Sequence, residues 1–287
     1  MAASPAVNQE EAWRRRWPAP AKLNLFLHVV GRRADGYHLL QTVFRLIDLV
    51  DWIEFSPRED SAIRLAEPLP GVPEDADLTV RAARLLQEAG AVRTGVTIRV
   101  AKRIPIGGGL GGGSSDAATT LIALNERWDA GLSRAELSAL AVRLGADVPF
   151  FLLGRNAFAE GIGERLTPLD LGPAWYVVIT PQVAVSTREI FSSTALTRDT
   201  KPLTITAFFA GLGRNDLEPV VCGRFPQVAR ALEWLKGFGD ARMSGSGASV
   251  FAAFRTESEA RAVVARIPGE WCGIAVRGLD RHPLASE

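Results

Sequence analysis

Six of the seven residues from Gly107 to Gly113 are glycine, with only Leu110 interrupting, and Ser114, Ser115 and Asp116 follow at once. Each glycine surrenders more backbone freedom on folding than any other residue, so a run this dense beside a helix start implies that something approaches the main chain closely. An anion is the natural visitor. The first N–H groups of a helix lack intrahelical partners and carry the positive end of its dipole, which together favour phosphate. Ser114 and Ser115 can add hydroxyl hydrogen bonds or ligate a cation. The competing reading, a flexible linker, fits poorly with the well-formed helical pattern that abuts the run.

The phosphate chemistry is narrowed by what is missing. A Walker loop ends in Gly-Lys-Ser/Thr, and the chain contains no Gly-Lys pair; neither His-Arg-Asp nor Asp-Phe-Gly occurs, which removes the protein-kinase arrangement. Gly107, Gly109 and Gly112 satisfy a dinucleotide fingerprint, as any run so rich in glycine would. Lys102 to Pro105 puts charge and a proline where a Rossmann strand should lead into the turn, and the acids about 20 residues on, Glu126 and Asp129, fall near a helix end. Redox chemistry is a minor alternative.

The elements that must position this loop follow from periodicity. Leu23, Leu25, Leu27 and Val29 alternate with Asn24, Phe26 and His28, the period of a strand over 22–30 with Asn24 and His28 on one face. A second strand is predicted over 43–55, with Asp35-Gly36 marking the turn of a hairpin. Helical spacing over 77–89 is followed by a strand at 96–100, a helix from Ser114 to Trp128, and a helix capped by Ser133 and Glu136 that ends at Gly145. Glycines and prolines around residue 168 mark a lobe boundary. Beyond it come strands at 175–180, 249–254 and 272–276 and helices at 226–236 and 257–266, a helix-on-sheet α+β layer. The expected organisation is an N-terminal extension 1–18, a first lobe 19–168 and a second lobe 169–287.

Composition sets the outer bounds. In 287 residues, 33 Lys and Arg stand against 32 Asp and Glu, and a net charge of +1 cannot supply the positive field that nucleic acid or an acidic membrane surface attracts. No apolar run approaches a membrane span, and the Arg14-Arg15-Arg16 segment lacks the apolar core of a secretion signal. Two cysteines, Cys222 and Cys272, with no CxxC pair support neither a disulfide framework nor a zinc site, and a reducing cytoplasm fits.

Three segments together resemble the motifs of the GHMP small-molecule kinases: Pro20 to Leu25, Pro105 to Ala118, and Ser244 to Ser249. Within that superfamily, Arg33 to His38, Gly145 to Pro149 and Ala157 to Gly161 resemble the 4-diphosphocytidyl-2-C-methyl-D-erythritol kinase family of the non-mevalonate isoprenoid pathway. The resemblance covers nearly the whole chain beyond the extension. It implies a two-lobed α+β GHMP kinase fold, with an N-terminal lobe like the second domain of ribosomal protein S5 and a ferredoxin-like C-terminal lobe. The implied reaction is transfer of the γ-phosphoryl of ATP, with Mg²⁺, to the 2-hydroxyl of a cytidine diphosphate-linked polyol by a cytoplasmic monomer or weak homodimer. A sister GHMP kinase or decarboxylase, or a catalytically silent sensor of the same fold, are the alternatives.

Carried onto this chain, the resemblance makes Asp147 the catalytic base and Lys22 its partner. A tertiary alcohol is a poor nucleophile, so the site must align it, take its proton and offset phosphoryl charge. Asp147 alternatively caps the turn through Val148-Pro149. Because it follows a helix C-terminus, where a carboxylate is disfavoured, a compensating cation is expected close by. Pro105, Gly107, Gly108, Gly109, Leu110, Gly111, Gly112, Gly113, Ser114, Ser115 and Asp116 are the expected phosphate loop. Asn24, Tyr37 and His38 match cytidine-binding positions, Tyr37 to stack and His38 to read the base edge, with Phe191 as the opposing wall and Thr187 as a further contact. Hairpin-loop and core-packing roles are the bland readings of these aromatics. Gly245, Ser246 and Gly247 form a second small-residue loop able to close over phosphates or acceptor. No metal ligand is assigned. Asp77 stands where related sequences often carry Asn, so an amide contact to adenine is lost there.

Overall fold

The computed structural model describes residues 13–285. The alternation near the start becomes a long antiparallel hairpin, β1 (Trp17–Arg32) and β2 (His38–Arg58). Residues 1–12 of the expected extension lie outside the described residues, while Trp17 and Pro18 already pair with Ile53 and Trp52, and the Trp17 ring is buried. Strand β1 slips register after Pro20, between Asn24 and Leu27, and after Val29, so the strand carrying Lys22 and Asn24 bends as it passes the cleft. β3 (Ile63–Leu65) runs parallel to β4 (Gly95–Ala101), which pairs antiparallel with β2; a hairpin of β5 (Ala157–Glu160) and β6 (Arg165–Pro168) also joins β2.

Four helices belong to this lobe: α1 (Leu78–Ala89), α2 (Gly112–Arg127), α3 (Arg134–Leu144) and α4 (Val148–Leu153). Ser133 and Glu136 form the anticipated capping box on α3, and Asp77 caps α1 by accepting from the amides of Thr79 and Val80. Phe44, Leu46 and Ile53 from the sheet meet Val80, Leu86, Leu121, Leu124, Phe150 and Phe151 from the helices in one core. Each such side chain contributes about 1.5–3 kcal/mol on burial. Ala117 and Ala118 are fully buried, so the start of α2 presents little side-chain bulk to the core and carries the glycine loop close to β1.

The second lobe holds β7 (Trp175–Thr180), β8 (Ala241–Met243), β9 (Val250–Phe254) and β10 (Cys272–Leu279), ordered β10-β7-β9-β8 and antiparallel throughout. With α5 (Thr187–Phe191), α6 (Ile205–Phe209), α7 (Glu218–Arg224), α8 (Pro226–Lys236) and α9 (Glu257–Val264) in the connections, this is a ferredoxin-like βαββαβ layer. Val228, Ala231, Leu232 and Leu235 recur at helical spacing and are the buried face of α8.

The lobes share a sheet. Gly278 and Leu279 of β10 pair with Ile47 and Leu46 of β2, and the buried Arg45 donates to the Gly172 carbonyl and pairs with Asp280. The last described residues therefore return to the first lobe, where the His282 amide donates to the Gly154 carbonyl. Among the described residues no helix is long and apolar enough to cross a membrane. Cys222 and Cys272 are both free thiols.

Candidate active site

The glycine loop follows β4 and ends in α2. Gly107, Gly109 and Gly111 all have φ near +73°, a left-handed conformation that penalises a side chain, and Gly111 is the residue from which α2 springs. Gly109 is pinned most tightly: a Cβ there would lie 2.2 Å from the Ser244 carbonyl oxygen. Its own carbonyl accepts from Lys22 Nζ at 2.9 Å and from Ser244 Oγ at 3.0 Å, while the Ser249 amide donates to the Gly108 carbonyl. The two small-residue loops, one from each lobe, thus form a single seam.

Lys22 is buried with its ammonium aimed at three acceptors: Asn24 Oδ1 at 2.5 Å, the Gly109 carbonyl, and Asp147 Oδ2 at 3.6 Å. Burial pulls the Lys22 pKa down and the Asp147 carboxylate opposes that pull. Asp147 sits at the N-cap position of α4 but makes no capping hydrogen bond, so the capping alternative is not used and the carboxylate is left to Lys22 and the cleft. The cation expected beside this carboxylate is Lys22. Asn24 is committed chiefly to positioning: Oδ1 holds Lys22, Nδ2 donates to Thr42 Oγ1 at 2.9 Å, and its amide donates to Ser244 Oγ at 3.1 Å. One Nδ2 hydrogen remains for a guest.

A cavity of about 1060 Å³ runs along this seam. It has room for more than one ligand of ordinary size. One end is lined by Tyr37, His38, Thr187, Arg188, Phe191 and Arg198. Tyr37 stands 62% exposed on the hairpin turn, a side chain awaiting a partner surface. The His38 and Phe191 rings lie 5.0 Å apart and tilted by 32°, so Phe191 is a cleft aromatic and not only core. Thr187 Oγ1 and Ser246 Oγ share a hydrogen bond of 2.7 Å that ties α5 to the second loop. Arg198, which no pattern in the sequence singled out, donates from Nε to His38 Nε2 at 3.1 Å.

At the opposite end lie Leu69, Val72, Ala76, Asp77, Leu78 and Lys102. Asp77 spends its carboxylate on capping α1 and on the Thr79 hydroxyl, which explains how an acid is tolerated at this wall. Lys102 reaches both Asp51 (2.5 Å) and Asp116 (2.7 Å) and lies under Gly112. Burial pushes Asp116 up to about 7 against the pull of Lys102; for Lys102, burial lowers the pKa but the two carboxylates outweigh it and the net direction is up. Sequence reading took Lys102 as charge that spoils a Rossmann turn; its role depends on Asp51, far away in the chain.

Two expectations need correction. Ser115 is fully buried behind the first turn of α2 with its Oγ unpartnered, and it does not line the cavity. Gly247 is buried behind its loop, where a Cβ would lie 2.9 Å from Met243 Sδ; its smallness serves packing, and Gly245 and Ser246 are the loop residues on the cavity. Pro105, Gly107 to Ser114, Asp116, Lys22, Asn24, Asp147, Tyr37, His38, Thr187 and Phe191 are all brought to one cleft.

Comparison with known proteins agrees with this geometry. Residues 77–155 match the family model for the GHMP kinases N terminal domain and residues 204–272 that for the GHMP kinases C terminal domain. A 4-diphosphocytidyl-2-C-methyl-D-erythritol kinase of Thiobacillus denitrificans is 61% identical over 268 residues, covering 93% of this chain and 96% of that protein. A protein of the same name from Nitrosospira multiformis is 60% identical over 270 residues, covering 93% of this chain and 92% of that one. The crystal structure of a 4-(cytidine 5'-diphospho)-2C-methyl-D-erythritol kinase superposes with a TM-score of 0.80 at 37% identity, over 92% of this chain and 99% of that one. The mevalonate kinase of Methanococcus jannaschii, at 16% identity and a TM-score of 0.70, shares the fold.

Proposed function

This chain belongs to the GHMP kinases and, among them, to the 4-diphosphocytidyl-2-C-methyl-D-erythritol kinases, and from that premise we propose how its cleft does the work. The enzyme transfers the γ-phosphoryl group of ATP to the 2-hydroxyl of 4-diphosphocytidyl-2-C-methyl-D-erythritol, with Mg²⁺, in the non-mevalonate route to isoprenoid precursors. The observation that carries the assignment of roles is the Lys22–Asp147 pair at 3.6 Å, set against the phosphate loop through the Gly109 carbonyl.

The triphosphate lies along the loop from Gly107 to Ser114, where the unpaired amides opening α2 meet its charge. Asp147 accepts the hydroxyl proton as the acceptor oxygen bonds to the γ-phosphorus; the bond from that phosphorus to the bridging oxygen breaks, and its electron pair leaves on ADP. Lys22 offsets the negative charge gathered between carboxylate and phosphoryl group. Hard divalent cations take oxygen ligands, and the oxygens here fit: Asp116 Oδ1 is buried without a partner, and Ser114 stands beside it on the cleft. These two residues would hold Mg²⁺, which supplies charge neutralisation at the phosphate oxygens. No three His, Cys, Asp or Glu side chains converge among the described residues, in keeping with a cation held largely through the nucleotide.

The acceptor's base lies between Tyr37 and Phe191 with His38 at its edge, and Arg32 and Arg188 on the same wall suit its diphosphate. All of these residues come from one chain, which supports a monomer or weak homodimer. The test is to supply ATP, Mg²⁺ and the cytidylyl acceptor and to follow ADP and phosphorylated product by mass. ADP formed equally without acceptor would indicate a hydrolase and retire the reading.

A further inference from the structure

Arg198 takes no part in the chemistry described above, yet its guanidinium is used almost completely. Nη1 donates to the Leu196 carbonyl at 3.0 Å, Nη2 to the Phe191 and Ser193 carbonyls at 3.0 and 2.7 Å, and Nε to His38 Nε2 at 3.1 Å. It therefore fastens the loop after α5, in the second lobe, to the mouth of the β1–β2 hairpin in the first. A guanidinium has donors only and does not lose its proton in proteins. The His38 nitrogen that meets it must offer a lone pair. In the neutral ring the proton then resides on Nδ1. Burial, Arg198 and Arg32 all oppose a second proton on this imidazole, and the nearby Asp35 carboxylate is already taken by Arg33 and the Tyr37 amide.

We propose that Arg198 is a specificity-determining positioning residue: by occupying His38 Nε2 it fixes the imidazole as an Nδ1–H donor, which suits a cytosine edge and rejects a uracil edge. The inference rests on the reading of His38 as the residue at the base edge. Cytosine presents N3 as a bare acceptor, whereas uracil carries a hydrogen on N3. A donor facing a donor leaves two polar groups unpaired in a closed pocket, the kind of mismatch that discriminates far better than shape. With Arg198 gone, the imidazole is free to move its proton to Nε2 and accept from uracil.

The experiment compares kcat/KM for the cytidylyl acceptor and its uridylyl analogue in the unmodified enzyme, Arg198→Met and Arg198→Lys. Nitrogen NMR of ¹⁵N-histidine-labelled enzyme reports the His38 tautomer. The unmodified enzyme should prefer the cytidylyl acceptor by about tenfold to a hundredfold, the worth of one well-made base contact. Its His38 should be protonated at Nδ1 and bare at Nε2. Arg198→Met should bring the preference toward unity, mainly through KM and with kcat on the cytidylyl acceptor retained, and should average the two nitrogen signals; Arg198→Lys, which keeps a donor, should restore both. An Arg198→Met enzyme with the full preference, or a labelled unmodified enzyme with Nε2 protonated, overturns the proposal, and the latter measurement holds even if the variant does not fold. An unmodified enzyme that phosphorylates both acceptors equally well would instead overturn the placement of His38 at the base, and the proposal with it.

Discussion

Replacing Lys22 with Met separates what the lysine does for the fold from what it does for the reaction. Methionine keeps the length of the side chain, hence its packing beside Phe44 and against Gly111, and removes the charge. Of the three acceptors, the Gly109 carbonyl still receives Ser244 Oγ and Asp147 is partly exposed to water, so only Asn24 Oδ1 is stranded. An unsatisfied buried acceptor costs about 1–3 kcal/mol, and release of a buried ammonium offsets part of that. The catalytic side is larger. Unit charges 3.6 Å apart interact by roughly 4–5 kcal/mol at an effective dielectric of about 20. Since about a third of the Asp147 side chain is exposed, we discount this for screening to about 2–3 kcal/mol, or roughly a hundredfold in rate at 1.36 kcal/mol per decade. The expectation is a folded enzyme, stable in urea to within about 2 kcal/mol of the parent, whose kcat falls roughly a hundredfold while the KM for ATP changes little, because the charge is needed most as the phosphoryl group moves. A folded variant with kcat unchanged, or one in which the whole loss lies in KM for ATP, would refute this account and make Lys22 a structural or ground-state binding residue.

The other expectations follow from neighbouring geometry. Asp147→Asn keeps the shape and removes the proton acceptor, so kcat should fall about 10²- to 10⁴-fold in the coupled ADP assay, and near-parental turnover would remove Asp147 from the mechanism. Gly109→Ala would place a Cβ 2.2 Å from the Ser244 carbonyl oxygen and should cost well over the roughly 1–2 kcal/mol of left-handed strain, whereas Gly107→Ala, at the same φ with nothing within 4 Å, should cost that strain alone; equal urea midpoints for the two would contradict the seam between the loops. Burial depresses the pKa of His282 to about 4, so between about pH 4 and 6.5 the unfolded chain binds a proton that the folded one refuses. Its contribution is present at neutral pH and is lost as pH falls through that window, by about 3 kcal/mol in all. His282→Asn should flatten the stability profile there, and a variant with the parental slope would exclude His282 as its source.

What the sequence made legible divides by the range of the forces involved. Helices α1 and α8 and the long hairpin were readable because apolar periodicity is a local property, and the Ser133–Glu136 box because a cap is decided within one turn. Strands β3 and β8, three residues each, and the β5–β6 hairpin were not, since such short segments are strands only by virtue of the neighbours they pair with. The site divides in the same way. The glycine loop announces itself by composition, whereas Lys22 and Asp147 carried weight only through their motifs, and Lys102–Asp51–Asp116 and Arg198–His38 exist only after distant segments meet. These long-range pairs are also where the two lobes are bound together. The Gly109 carbonyl is gripped by a lysine from β1 and a serine from the loop after β8, and β10 is hydrogen-bonded to β2 behind them. A change in the second lobe that shifts Ser244 must therefore move the backbone against which Lys22 is set. The catalytic pair is held in register by the lobe that contributes neither of its members.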